Sequence, residues 1–395
     1  FKDDKIGLAN YNLQDAVLVS KIFKKTGLLH YLFHLVQHTG VLWDDLGAWG
    51  QAFDHLFLPS LHRKGFVGGN NEGGRSSQKN ERGSLSTYVP GRYSKVVELS
   101  FKRLPASIIH TFKVDPFSKM MAKISTIKTP VGESYSGSEH ILPNIIQKLM
   151  GLHHSANCHG DQLQAGALNK VVDKLCSVMS DTRCRFYEDR TAEVITELGQ
   201  WVFQESIRYF EKRGYDVIYS DTRSIFVHLK PHEQLEEKGR FFAEQLSLWW
   251  TEKIGKDFGL PSSLEVSVAS SFNHLFLPTL GPGEVGKKRY VGVVNRNGVP
   301  QMKFVGMGSV RSDLAPLGGQ FQDSLFKRYF KGEPLESWIR AFVSEVETGC
   351  HDAALVYKKR LKKSPDEYVR SNPPHVRAAR LIQKRYGTVH YVMTR

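Results

Sequence analysis

Residues 215–229 read Y-D-V-I-Y-S-D-T-R-S-I-F-V-H-L. The apolar runs 217–219 and 225–227 flank the polar tetrapeptide Ser220-Asp221-Thr222-Arg223, which predicts a β-hairpin with a tight turn. A carboxylate at such a turn is well placed to hold a metal ion, yet Arg223 stands two residues on. A guanidinium within a few Å repels a divalent cation by several kcal/mol, roughly, at an intermediate dielectric. One carboxylate also holds Mg²⁺ weakly, because the ion depends on waters and further ligands to complete its octahedron. The plainer expectation is that Asp221 and Arg223 make a small ion pair that holds the turn. A second cluster, His153-His154-x-x-x-Cys158-His159, would set His154 and Cys158 on one helix face, where zinc would need two more ligands. No such partners are apparent, and no metal site is assigned. Basic clusters at Lys287-Lys288-Arg289 and at Lys358, Lys359, Arg360, Lys362 and Lys363 suit phosphate contacts, and Arg370, Arg377 and Arg380 extend the second.

The bulk numbers agree with a polyanionic partner. Net charge is +14 and the pI about 9.4, favouring nucleic acid or an acidic surface. A length of 395 residues exceeds one ordinary core and predicts two or three domains, and 41% hydrophobic content predicts that most of it folds. The four cysteines form no C-x-x-C pair, so neither a disulfide framework nor a zinc ribbon is indicated. No apolar run is long enough for a membrane span. The chain opens at Phe1 in sequence that reads as mid-domain, so a fragment is expected, and any targeting signal would lie ahead of it.

These residues need elements to position them. A helical period covers 9–38, and a Gly-, Ser- and Asn-rich stretch over 66–92 predicts a long mobile loop. Val96-Val97-Glu98-Leu99 predicts a buried strand, and 139–179 predicts two helices joined by a polar turn around 157–162. An amphipathic helix over 192–212, closed by Gly214, precedes the hairpin. A helix over 233–254 follows, with Phe241, Leu246, Trp249 and Trp250 on its apolar face. Strands at 264–277 and 289–294 lead into a mostly helical, basic segment from about 312. The fold class expected is α+β, with helices packed on an antiparallel sheet.

Several segments together resemble the family-B DNA polymerases, in their bacterial polymerase II branch. That family's third metal motif, Y-G-D-T-D-S, is similar to Y-S-D-T-R-S at 219–224, and its K-K-R-Y signature is matched at Lys287-Lys288-Arg289-Tyr290. Its thumb sequence resembles V-Y-K-K-R-L at 356–361 and P-P-H-V-R-A-A-R-L at 373–381, and its last exonuclease motif resembles Tyr11-Asn12-Leu13-Gln14-Asp15. The resemblance implies a right hand: the tail of an exonuclease domain at 1–40, palm at 41–134 and 191–311, fingers at 135–190, and a truncated thumb at 312–395.

The resemblance also implies which groups should work. Nucleotide addition there is phosphoryl transfer through two Mg²⁺ ions held by paired carboxylates. The first motif, D-x-x-S-L-Y-P-S, puts Ser100 at the place of its Asp, Pro105 at the place of the Tyr that sets sugar selection, and Ala106 at that of its Pro. Glu98 lies about 7 Å away on the same strand face and would serve only if the strand slid. Arg223 takes the place of the second carboxylate, leaving Asp221 as a remnant. The triphosphate-binding cations of the fingers fall on His153, Asn157 and Asn169, and a further polar group falls on Asp173, which repels anions. Tyr11 and Asp15 would be an incomplete exonuclease remnant. Lys287, Lys288, Arg289, Tyr290, Lys358, Lys359, Arg360 and Arg377 would follow the primer–template duplex. The expected function is a polymerase homologue that binds primer–template DNA without nucleotidyl transfer, in DNA replication or repair or as a structural accessory. The alternatives are an active polymerase using Mg²⁺ at Asp221 and Glu98, and a scaffold whose basic face packs on RNA or an acidic protein. Mg²⁺ is the cofactor of an active form and no other is expected. The expected location is cytoplasmic or nucleoid-associated in a prokaryote.

Overall fold

The computed structural model describes residues 4–70, 87–221, 223–279, 281, 288–296, 298–307, 315–369 and 372–393. The chain opens with helices α1 (Lys5–Thr26), α2 (Leu28–Thr39) and α3 (Trp49–Arg63). The helical period expected over 9–38 is therefore two helices. Gly27 adopts φ 64°, a left-handed conformation that ends α1 and opens α2. Most of the stretch expected to be a mobile loop, 71–86, lies outside the described residues. Its end is sheet instead, with β1 (Thr87–Tyr88) and the start of β2 (Gly91–Phe101).

Helices α4 (Leu104–Phe112) and α5 (Pro116–Met120), strands β3 (Thr126–Lys128) and β4 (Ser134–Ser136), and the hairpin of α6 (Leu142–Cys158) and α7 (Gln162–Val178) follow. Asp115 ties this region together. Its fully buried carboxylate caps α5 through Ser118 N–H at 2.7 Å and accepts Ile141 and Leu142 N–H at 2.7 and 3.2 Å, fixing the base of α6. Burial pushes its pKa up to about 6, against the pull of these backbone donors.

Helix α8 (Asp189–Glu211), strands β5 (Asp216–Ser220) and β6 (Ser224–His228), helix α9 (Leu235–Phe258) and strand β7 (Val266–Leu277) complete the central unit with β8 (Tyr290–Arg296) and β9 (Val299–Val305). The strands form one antiparallel seven-stranded sheet in the order β1-β5-β6-β2-β7-β8-β9. Val96, Val97 and Leu99 of β2 are buried at its middle, because α8 and α9 cover one face and an aromatic cluster around Tyr219, Phe226, Phe272 and Tyr290 fills the other. On α9 the residues facing the core are Phe242, Leu246 and Trp250, spaced by four, whereas Phe241 is 49% exposed. Phe241 thus belongs one position off the buried stripe.

The C-terminal segment departs from the mostly helical expectation. Helices α10 (Pro316–Lys331) and α11 (Leu335–Glu347) are followed by β10 (Tyr357–Leu361), α12 (Pro374–Leu381) and β11 (Gly387–Tyr391). Strands β10 and β11 form an antiparallel pair, and α12 closes a small core of Leu361, Val376, Ala379 and Val389 over it. The fold is α+β. Among the described residues, no helix is long and apolar enough to cross a membrane.

Candidate functional site

The hairpin forms where its apolar alternation places it, and its turn is held by Asp221. The Asp221 side chain is 6% exposed. Its Oδ1 accepts the backbone N–H groups of Arg223 (2.9 Å) and Ser224 (3.2 Å). Its Oδ2 accepts the Tyr219 hydroxyl (2.9 Å) and pairs with Lys288 Nζ at 2.6 Å. The expected Asp221–Arg223 ion pair is therefore replaced by a backbone contact. The ion-pair partner is Lys288, brought in by the approach to β8, while the Arg223 side chain is exposed. Burial, then the neighbouring carboxylate, raises the Tyr219 pKa well above that of an ordinary phenol, so Tyr219 remains a hydrogen-bond donor.

Ser100, expected near a lost carboxylate position, lies opposite Ser224 in the β2–β6 register. Its hydroxyl donates to the Arg223 carbonyl at 3.1 Å. Glu98 reaches the turn without any slide of the strand: Ser224 Oγ donates to Glu98 Oε1 at 3.1 Å, while Ser224 N–H serves Asp221. Lys303 on β9 pairs with Glu98 Oε2 at 3.1 Å and donates to Ser270 Oγ at 2.7 Å. Tyr290 stands close to both carboxylates, and its pKa is raised first by burial and then by Glu98 and Asp221. Each acidic group at this turn is thus matched by one lysine.

The α6–α7 hairpin brings His153, Asn157, Asn169 and Asp173 near one another, together with a residue that the motif reading left aside. Arg103, between β2 and α4, sits where the first motif has Ser. Its Nε donates to Asn169 Oδ1 at 2.7 Å, and its Nη2 lies 2.9 Å from both ring nitrogens of His153. Asn157 Nδ2 lies 3.2 Å from the same ring. Burial lowers the pKa of Arg103, and Asp173 and then Glu265 pull it back up. Burial, then Arg103 and His154, lower that of His153. The break in the S-L-Y-P pattern at Arg103 was the available signal for this residue. Lys303 carried none, since β9 was not expected.

The remaining positions are scattered. Tyr11 and Asp15 lie one turn apart on the exposed surface of α1. His154 Nε2 and Cys158 Sγ meet at 3.6 Å, but no group of three or more possible metal ligands occurs among the described residues. Lys287 lies outside the described residues. Lys358, Lys359 and Arg360 are exposed on β10, and Arg377 is exposed on α12.

The sequence profile of DNA polymerase family B matches residues 170–394. DNA polymerase II of Escherichia coli (strain K12) is 36% identical, aligned with 100% of this chain and 53% of its own length. DNA polymerase 2 of Aeropyrum pernix is 27% identical over 55% of this chain and 24% of its own length. In fold, the chain is similar to the solved family B DNA polymerase of the hyperthermophilic archaeon Pyrobaculum calidifontis, with a TM-score of 0.63 at 21% identity. That likeness covers 98% of this chain and 51% of the other, so the chain spans about half the length of such relatives. A profile that matches more than half of the sequence, joined to a relative similar along all of it, places this chain in DNA polymerase family B.

Proposed function

We propose that this chain supplies the palm, the fingers and part of the thumb of a family-B polymerase fold, binds primer–template DNA, and transfers no nucleotides. In this reading the seven-stranded sheet is the palm, α6–α7 the fingers, residues from 312 the thumb, and 1–40 the tail of an exonuclease domain. Its role is that of a structural or accessory DNA-binding protein in replication or repair.

The observation that carries the reading is the state of Asp221. Both carboxylate oxygens are engaged, and the Lys288 ammonium 2.6 Å away is a cation already in place. Ser100 offers a hydroxyl where the family has a carboxylate, Arg223 offers a positive charge, and Glu98 is held by Lys303. This donor set does not fit a pair of Mg²⁺ ions, which need several free carboxylate oxygens and open positions for water. DNA binding is supported by the exposed cations of β10 and by Arg377, whose contacts would be with phosphates and so independent of sequence.

Primer extension with Mg²⁺ or Mn²⁺ tests the chemistry. No extension is expected, and template-directed synthesis that vanished in Asp221→Ala would overturn the reading. Titration of a labelled primer–template at several salt concentrations tests binding. A steep log–log slope is expected, reduced by about 1 for each of Lys358→Gln and Arg360→Gln. An absence of binding at low salt would leave the basic face to a protein or RNA partner.

A further inference from the structure

We propose that Arg103 is a latch that locks the α6–α7 hairpin to the central sheet, filling with the chain's own guanidinium the place that the polymerase resemblance gives to a triphosphate. The inference does not depend on whether the sheet can transfer nucleotides.

The first support is position. Arg103 follows β2 directly and adopts φ 47°, a left-handed conformation uncommon for a residue with a side chain. In that conformation it precedes α4 and projects its side chain out of the sheet region, onto the two helices of the hairpin. The second support is the double attachment. Nε serves Asn169 on α7 and Nη2 meets His153 on α6, so one guanidinium engages both helices. The planar fork of arginine suits this two-sided grip, which a single ammonium would not reproduce.

The third support is leverage. The hairpin is already fixed at its base, where Asp115 holds the first amides of α6. His153 lies eleven residues beyond Leu142 on the same helix, a distance of roughly 16 Å at the α-helical rise. Along its length the hairpin packs on α2, α3 and α4, and its tip is tied to α2 by His34–Asp161 (3.7 Å) and Gln164–His38 (3.4 Å), so Arg103 adds the hold on the side that faces the end of β2. Swinging the hairpin away from the sheet requires the Arg103 contacts to break. Asn157 extends the grip one turn further by packing its amide on the His153 ring. Asp173 adds a favourable field without a direct contact. Of the groups at the positions the resemblance gives to a triphosphate, Asn169 and His153 are engaged by Arg103 and Asn157 by the His153 ring.

Hydrogen–deuterium exchange on the full chain tests the latch. In Arg103→Ser, amides of 150–168 are expected to exchange about tenfold faster or more, while those of β2, β6 and β7 stay unchanged. Arg103→Lys is expected to give an intermediate increase, because charge remains and the fork is lost. If Arg103→Ser does not fold, the double variant His153→Ala/Asn169→Ala removes the other end of the same contacts and is expected to loosen the same segment. Where Arg103→Ser does fold, adding it to that double variant should produce no further increase. Unchanged exchange of 150–168 in these variants, or an equal rise across the sheet, would overturn the proposal.

Discussion

The turn at 219–224 and the α6–α7 hairpin balance their charges in opposite ways. At the turn, two carboxylates remain, and a cation comes to each: Lys288 to Asp221 and Lys303 to Glu98. In the hairpin, neutral side chains stand where the resemblance expects cations, and a single guanidinium arrives from the end of β2. The turn is buried and built from ion pairs, whereas the hairpin site is half-buried and built from hydrogen bonds to uncharged groups. The contrast teaches that polar side chains can be engaged in two ways, by bringing a cation to each carboxylate or by bringing one guanidinium to several neutral groups. At the turn each carboxylate has a lysine beside it, whereas the Arg103 guanidinium makes its direct contacts with neutral groups and feels Asp173 and Glu265 only at longer range.

The comparison can be broken most severely at Asp221. Asp221→Ala strips the partner from the buried Tyr219 hydroxyl and two turn amides, and should cost about 3 kcal/mol in urea unfolding. A cost no greater than that of Arg103→Ser, which should be about 1 kcal/mol, would erase the distinction between an ion-paired and a neutral site. Lys303→Ala comes next. It leaves Glu98, whose side chain is 11% exposed, with Ser224 as its remaining described partner. A loss of about 2 kcal/mol is expected, and Glu98→Gln added to it should recover part of that loss.

A gain-of-carboxylate variant sharpens the contrast further. Ser100→Asp/Arg223→Asp places new negative charge beside Asp221, so Mg²⁺ should raise its melting temperature by about 2–4 °C and leave that of the parent chain unchanged. Primer extension should stay absent because His153, Asn157 and Asn169 stand at the positions the resemblance gives to triphosphate-binding cations, and robust synthesis would show that those positions are dispensable. The smallest effect is the acid response of His153. Its pKa is lowered in the fold by burial, Arg103 and His154, so the unfolded chain binds the proton more readily. The neutral ring's contribution is therefore fully present above the ordinary histidine value and is lost as pH falls below it. Asp173 on α7 and Glu265 act on the same guanidinium with the opposite sign. His153→Gln should flatten the decline in melting temperature between pH 7 and pH 5, and an unaltered decline would remove the ring from the balance.

Much of this architecture was legible because it is local. Alternating apolar residues gave the β5–β6 hairpin, periodic ones gave α6 to α9, and Gly214 and the polar turn near 160 marked their ends. What escaped was decided between distant segments. Asp221 meets Lys288 across α9 and β7, and Arg103 meets residues in two later helices, so no local period encodes these contacts. Glu98 reads as a shifted ligand in the sequence, but its hold on Lys303 is set by β9, which lies three strands away in the sheet order. Strand β10 was hidden by its own composition, because three consecutive basic residues mask the alternation that a strand ordinarily displays.

The Glu98–Lys303 pair also constrains history. Lys303 is 33% exposed and its flexible stem can reach water, whereas the Glu98 carboxylate is enclosed. A lineage that acquired the lysine first would carry a tolerable surface cation, while one that acquired the glutamate first would carry a stranded buried charge. Arrival is cheap in one order and departure is cheap in the reverse order. The pair therefore acts as a ratchet on sequence change: single steps away from it begin with Glu98, and Lys303 is free to vary only afterwards.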